Sequence, residues 1–239
     1  MKGIKICYIY IGSNRAGIIK PGFSHIIRYH NSRRIVRVLK YIINHGHEVI
    51  PINIEPRPNF ESNPYIDYGL SACTSLLKAL KSPADLFLAD YLEAGILAYI
   101  CQKTHRSPLV FDYRDNYSER CGTISRSLLR DRYVLLLEKM IPNLADKVIA
   151  ASEDLRDRCL SFGTSDRKIV TIPNGVDTNM FNPSNNREKT EEIRKSFNLT
   201  VPTIIFIGRF EPHYNLDVLL EAFSYVVKEK PLAKLLLVC

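Results

Sequence analysis

The sequence predicts an α/β fold: a Rossmann-like parallel sheet with helices on both faces. Three observations predict it. Short apolar runs of strand length alternate with segments of helical period along the chain, the pattern of a parallel sheet covered on both sides. The stretch Val148–Asp177 reads as strand, helix, strand and turn. The first strand runs into a glycine, Gly12, where doubly wound sheets often place phosphates.

Taken in order, Lys5–Ile11 is a buried-type strand. About Asn31–His45 forms a basic amphipathic helix with Ile35, Val38, Leu39, Ile42 and Ile43 as its apolar stripe, closed by Gly46. His47–Ile54 is the next strand, and the prolines and asparagines of Glu55–Pro64 make a loop. Leu70–Leu80 is a helix whose stripe is Leu70, Cys73, Leu77 and Leu80. Asp85–Ala89, a helix over Leu92–Thr104 and the strand Pro108–Phe111 follow. Ser125–Ile141 is a long helix ending before Pro142, because proline lacks the N–H a helix interior needs.

Lys147–Ala151 is a strand, and Ser152 caps the helix after it, with Glu153 and Asp154 in the dipole-favoured first turn. Gly163 suits the left-handed residue that ends this helix. Lys168–Ile172 is again a strand, broken by Pro173-Asn174-Gly175, where Asn-Gly tolerates positive φ. A polar stretch then leads to a charged helix over Glu188–Phe197, a strand over Thr203–Gly208, a helix over Leu216–Glu229 and a strand over Ala233–Cys239.

The 239 residues hold one large domain, or one domain and part of another. With 46% hydrophobic and 24% charged residues the chain buries a core. No apolar run reaches the length of about 18 that spans a membrane, and the N-terminus reads as a strand rather than a signal peptide. Cysteines 7, 73, 101, 121, 159 and 239 show no CxxC spacing and read as buried apolar residues of a reducing compartment. The net charge of +8 predicts an anionic partner. The aromatic–glycine motif of an RNA-binding sheet is missing, which argues against nucleic acid. An anionic membrane surface and phosphorylated substrates remain.

Several places carry candidate chemistry, each with a structural alternative. The loop "GSNRAGIIKPG" after the first strand holds Gly12 without a GxGxxG pattern, so it is either a phosphate loop or a surface loop. Arg34 and Arg37 share a helix face, as a solvated face or as an approach to substrate or lipid. Asp90, in "ADYLEAG" at a strand's carboxyl end, is either a ligand contact or the N-cap of the next helix. "FDYRDNYSERCG" packs Asp112, Arg114, Asp115, Glu119 and Arg120 at another strand end, as a site or as a self-satisfied ion-pair cluster.

"ADKVIAASEDLRDRC…KIVTIPNGVD" and "FIGRFEPHYNLDVLLEAF" resemble the retaining glycosyltransferases of family 4. The resemblance implies the GT-B fold of two facing Rossmann-like domains: an N-terminal acceptor-side domain over 1–177, a linker over 178–186 and an incomplete start of the donor-binding domain over 187–239. It implies transfer of a sugar from a nucleotide-sugar donor to a sugar, lipid-linked or small-molecule acceptor, with retention and without metal or other cofactor. Gly12, Gly208 and Arg209 would hold the donor, with Tyr214 where the family carries a lysine. Asp90, Arg114 and Asp115 would line the catalytic cleft, and Asn174 and Arg37 its acceptor side. The histidine common near Leu88–Asp90 is missing, and the chain ends before the family's E-x7-E motif. It therefore reads as a fragment: one half of a split enzyme needing a separately encoded C-terminal domain, or a non-catalytic acceptor- or membrane-binding remnant. The implied location is cytoplasmic, peripheral at the inner face of a membrane. A nucleotide-sugar epimerase of related fold is a further reading, against which "IPNGVD" argues.

Overall fold

The computed structural model describes residues 3–11, 34–54, 64–119, 128–208, 210 and 214–238, with 34–37 and 64–68 described by their backbone alone. The chain divides into two compact units, Met1–Ser118 with Ser127–Asn174, and Glu119–Arg126 with Gly175–Cys239.

The first unit is built on a parallel sheet of six strands in the order β2-β1-β3-β4-β5-β6. Its strands are β1 (Lys5–Ile11), β2 (Glu48–Ile54), β3 (Leu86–Asp90), β4 (Leu109–Tyr113), β5 (Lys147–Ala150) and β6 (Ile169–Thr171). The helices are α1 (Arg34–Asn44), α2 (Pro64–Leu80), α3 (Leu92–His105), α4 (Leu128–Leu144) and α5 (Glu153–Ser161). Side chains alternate across the sheet, so one strand feeds two cores. Ile6 and Tyr8 of β1 pack with Leu39 of α1, whereas Cys7 and Ile9 join the larger core with Ala79, Leu97, Ala98 and Ile141 of α2, α3 and α4. Strands with both faces covered need apolar residues at every position, which is why they read as continuous runs.

Local signals act where the sequence places them. Gly46 and Gly163 both take φ of 84°, closing α1 and α5 in the left-handed region. Ser152 Oγ accepts the Leu155 N–H at 3.3 Å. Four expectations are corrected. The α4 helix runs through Pro142 to Leu144, because Ile141 and Pro142 are buried in the core and the ladder resumes with the Ala145 N–H on the Ile141 carbonyl. The α2 stripe is inverted in part: Leu70 and Leu77 are 61% and 58% exposed, while Ser71, Ser75 and Ala79 face inward and Leu80 alone of the stripe packs against the core. Small residues let α2 lie close on β2, where Ser75 Oγ donates to the Asn53 carbonyl at 2.8 Å. With that inversion Cys73 is exposed, unlike the buried Cys7, Cys101 and Cys159. Finally, neither Asn174 nor Gly175 takes a positive φ.

The second unit holds a helix α6 (Arg187–Ser196) and a parallel pair, β7 (Thr203–Ile207) and β8 (Lys234–Val238), joined by α7 (Leu216–Glu229). Among its described residues none is buried, and Ile207 is 79% exposed. Among the described residues, two strands and two helices offer too few facing surfaces for a core.

Candidate functional site

The strand order of the first unit reverses between β1 and β3, and in open parallel sheets ligands bind beyond the carboxyl ends of the strands at such a point. Asp90 is the last residue of β3 and lies in register beside Asp112 of β4. Both are buried. Arg114, the first residue past β4, turns its guanidinium back over them. Its Nη2 ion-pairs with Asp90 Oδ2, and its Nε lies 3.7 Å from Asp112 Oδ2. From the other side the Tyr8 hydroxyl donates to Asp90 Oδ2 at 2.9 Å.

Asp90 is therefore not an N-cap. Tyr91 stands at the N-cap of α3, makes no side-chain cap, and takes φ of 76°. Such a backbone costs a non-glycine residue on the order of 1–3 kcal/mol. Here it accompanies a ring placed 5.7 Å from the Arg114 guanidinium and 5.7 Å from the Tyr117 ring. The electrostatics follow from burial and pairing. Burial, then the neighbouring Asp90, push the Tyr8 hydroxyl well above its usual value, so it stays a donor. Burial works against the charge on Arg114, but Asp90 and then Asp112 outweigh it and hold the guanidinium firmly protonated.

A second buried network fixes the turn that carries Arg114. Glu138 of α4 is fully buried. Its Oε1 accepts the Tyr113 hydroxyl at 2.6 Å and the Tyr117 N–H at 2.9 Å. Its Oε2 accepts the Ser118 N–H at 3.3 Å and Arg158 Nη2 at 3.1 Å, and the same Nη2 reaches Ser118 Oγ at 2.6 Å. Burial would raise the Glu138 carboxyl, but the donors Arg158, Ser118 and Tyr113 together hold it below its ordinary value. The segment between β4 and Ser118 is thus anchored at both ends.

Chemically, Arg114 sets a guanidinium against the buried carboxylates of Asp90 and Asp112 and beside the Tyr91 ring, with the Tyr8 hydroxyl on Asp90 and the Tyr117 ring next to that of Tyr91. Of the ion-pair cluster read from the sequence, Arg114 meets Asp112, and it pairs more closely with Asp90, which lies outside that cluster on β3.

The other predicted residues are placed as follows. Asp115 is half-buried in the turn after Arg114, and Asn174 is exposed in the segment after β6. Gly208 ends β7, its N–H donating to the Val238 carbonyl at 3.0 Å. A Cβ there would lie 2.8 Å from the Phe206 ring and 3.2 Å from that of Tyr214. The Tyr214 ring packs edge-on to Phe206 at 6.3 Å, so this tyrosine fills space beside the glycine. Gly12 and Arg209 lie outside the described residues, as does the Arg37 side chain, whose backbone is in α1. Residues the sequence reading missed are Tyr8, Tyr91, Tyr117, Glu138 and Arg158. A tyrosine pair in an isoleucine-rich strand and a lone glutamate in "VLLLEKM" were the available signals.

Known proteins share this arrangement of chain. The family model described as Glycosyltransferase Family 4 matches residues 32–180. The alpha-monoglucosyldiacylglycerol synthase of Streptococcus pneumoniae is 26% identical over 145 residues, covering 59% of this chain and 33% of that protein. Sucrose-phosphate synthase from Thermosynechococcus elongatus is similar with a TM-score of 0.66 at 18% identity, over 98% of this chain and 62% of that one. Anabaena HepE, solved with UDP and glucose, gives a TM-score of 0.57 at 18% identity, over 98% and 60%. The likeness to the solved structures is one of fold. The chain spans a third of the length of the curated relative and about three-fifths of the solved ones.

Proposed function

The chain belongs to Glycosyltransferase Family 4, and on that premise we propose that it serves transfer of a sugar from a nucleotide-sugar donor to an acceptor hydroxyl, with retention at the anomeric carbon. The observation that carries the reading is the buried Asp90–Arg114–Asp112 cluster with Tyr8, set at the carboxyl edge of the sheet within the stretch the family model matches. Asp90 and Asp115 accept hydrogen bonds from acceptor hydroxyls, Arg114 fixes the Asp90 carboxylate in place through their ion pair, and Asn174 and Arg37 add polar contacts on the acceptor side. Gly12 and Gly208 give the donor close backbone approach and Arg209 meets its diphosphate charge, with the Tyr214 hydroxyl as a neutral donor where the family has a lysine.

The physical demand of the reaction is leaving-group stabilisation. As the glycosidic bond breaks, charge builds on the diphosphate, and preorganised cations and backbone N–H groups meet it without reorganisation. Arg209 is the cation this reading assigns to it, which makes a metal unnecessary. The donor nucleotide in this reading is UDP, because the structurally similar HepE was solved with it. The setting is cytoplasmic.

The test is a UDP-release assay with a panel of UDP-sugars and of sugar, lipid-linked and small-molecule acceptors, with the product's anomeric configuration read by proton NMR. The expected result is acceptor-dependent UDP release and a product with the donor's configuration, both lost in Arg209→Ala. Inversion, or isomerisation of the donor without an acceptor, would overturn it.

A further inference from the structure

The Glu138–Arg158 pair lies outside the cluster at Asp90, yet its bonds converge on the segment that borders that cluster. Glu138 is fully buried on α4, and Arg158 reaches it from α5. Among the described residues, three of the four groups bonded to the carboxylate belong to 113–118: the Tyr113 hydroxyl and the N–H groups of Tyr117 and Ser118. The fourth, the Arg158 guanidinium, donates to Ser118 Oγ as well. Arg158 is itself held, its guanidinium 5.0 Å from the centre of the Phe162 ring, while the Phe162 carbonyl accepts the Asn143 side-chain amide at 3.0 Å.

A buried ion pair is a poor device for stability alone. Desolvating both charges offsets most of their attraction, and apolar side chains of like volume serve a core as well or better. What the pair supplies is direction. A carboxylate fixed from one side by a guanidinium offers its remaining lone pairs at set angles, and only donors in matching positions satisfy them. Here those donors set the path of the chain from Tyr113 to Ser118, the stretch that holds Arg114 and Asp115. The link continues through rings. Tyr113 and Tyr117 lie 6.0 Å apart, Tyr117 and Tyr91 5.7 Å, and Tyr91 lies 5.7 Å from the Arg114 guanidinium. A shift of Tyr117 is therefore passed to the guanidinium that pairs with Asp90.

We infer that Glu138 and Arg158 are positioning residues for acceptor recognition, acting through the 113–118 turn on Arg114 and Asp115. The inference deepens the acceptor reading proposed above and rests on it. The experiment takes the full chain with the UDP-sugar and acceptor that the UDP-release assay identifies, and measures each substrate separately, well below the Tm of every variant. Glu138→Gln and Arg158→Leu should lower acceptor kcat/KM about 10- to 100-fold, the effect of a misplacement on the order of 1 Å, with the donor KM unchanged. Arg158→Lys, which keeps a cation facing Glu138, should recover most of the loss. Tyr113→Phe, which removes one donor and leaves the charges paired, should fold as the parent does and move the acceptor alone in the same direction. Ile52→Ala is the control for stability. It truncates a buried core residue on β2, separated from β4 by β1 and β3, and should lower Tm with the kinetics of both substrates unchanged. Equal losses for donor and acceptor, an acceptor kcat/KM unmoved in the Glu138, Arg158 and Tyr113 variants, or a lysine no better than leucine overturns the inference. So does an Ile52→Ala variant that loses acceptor handling as they do, and in each of these cases the sugar-transfer reading stands. A parent inactive with every donor and acceptor overturns that reading, and the inference with it.

Discussion

Glu138→Gln tests whether the turn carrying Arg114 is held by a buried charge. The substitution keeps shape and one carbonyl oxygen, so the Tyr113 hydroxyl and the Tyr117 N–H still have an acceptor. The other oxygen becomes an amide nitrogen facing the Ser118 N–H and Arg158 Nη2, donor against donor. Arg158, only 20% exposed at its side chain, loses its ion pair with Glu138. Breaking a buried ion pair from one side costs about 3–5 kcal/mol, and two surviving neutral hydrogen bonds put this case near 3 kcal/mol. In a unit of this size that lowers Tm by about 6–12 °C. The pH dependence has a definite sign. The folded carboxyl lies below its ordinary 4.5, so its stabilisation is present above that value and is lost as pH falls through the folded pKa. Urea unfolding followed by circular dichroism should therefore show a gap between parent and variant that is full at neutral pH and closes below about 4.5. A gap under about 1 kcal/mol, or one unchanged in acid, would refute a charged hub.

Four further outcomes are expected. Asp90→Asn should lower the Tyr8 hydroxyl's pKa by removing the neighbouring negative charge, seen by ultraviolet titration of the phenolate, while burial keeps it above the ordinary tyrosine value. Leu77→Ala should cost under about 0.5 kcal/mol in urea unfolding, whereas Leu97→Ala, at a residue 8% exposed, should cost about 2–5 kcal/mol. Cys73 should be labelled by a thiol reagent well before Cys7, Cys101 and Cys159, as read by peptide mass spectrometry; burial pushes Cys7 and Cys159 up to about 12 and Cys101 to about 11. Gly95→Ala should destabilise by about 1–3 kcal/mol, because its Cβ would meet Ile141 Cγ2 at 2.5 Å inside the α3–α4 contact.

The strands were legible because each is a short, mainly apolar run, and the caps because Ser152, Gly46 and Gly163 act through their own local chemistry. The α2 helix was not, because apolar spacing identifies a stripe but not the side it faces. Seating on β2 required small residues, so Ser71, Ser75 and Ala79 took the inner face, while Leu76 and Leu80 pack at its margin and Leu70 and Leu77 point out. Pro142 misled because propensity is local, while the burial of Ile141 and Pro142 is tertiary. Within the site, Asp90 and Arg114 stood out as charges at strand ends. That they pair with each other, and that Tyr8 completes them, depends on strand order, which spacing along the chain does not encode. The Glu138–Arg158 pair joins residues 20 apart on two helices and was invisible for the same reason.

In the proposed reading the carboxyl edge around Asp90 handles the acceptor. Steady-state kinetics of Tyr8→Phe, which removes one hydroxyl from Asp90 and little else, measured against both substrates, test it most directly. The expected result is a fall of about tenfold in kcat/KM for the acceptor, the effect of one hydrogen bond to a charged group, with the donor KM unchanged. An unaltered acceptor kcat/KM, or a loss confined to the donor, would contradict it.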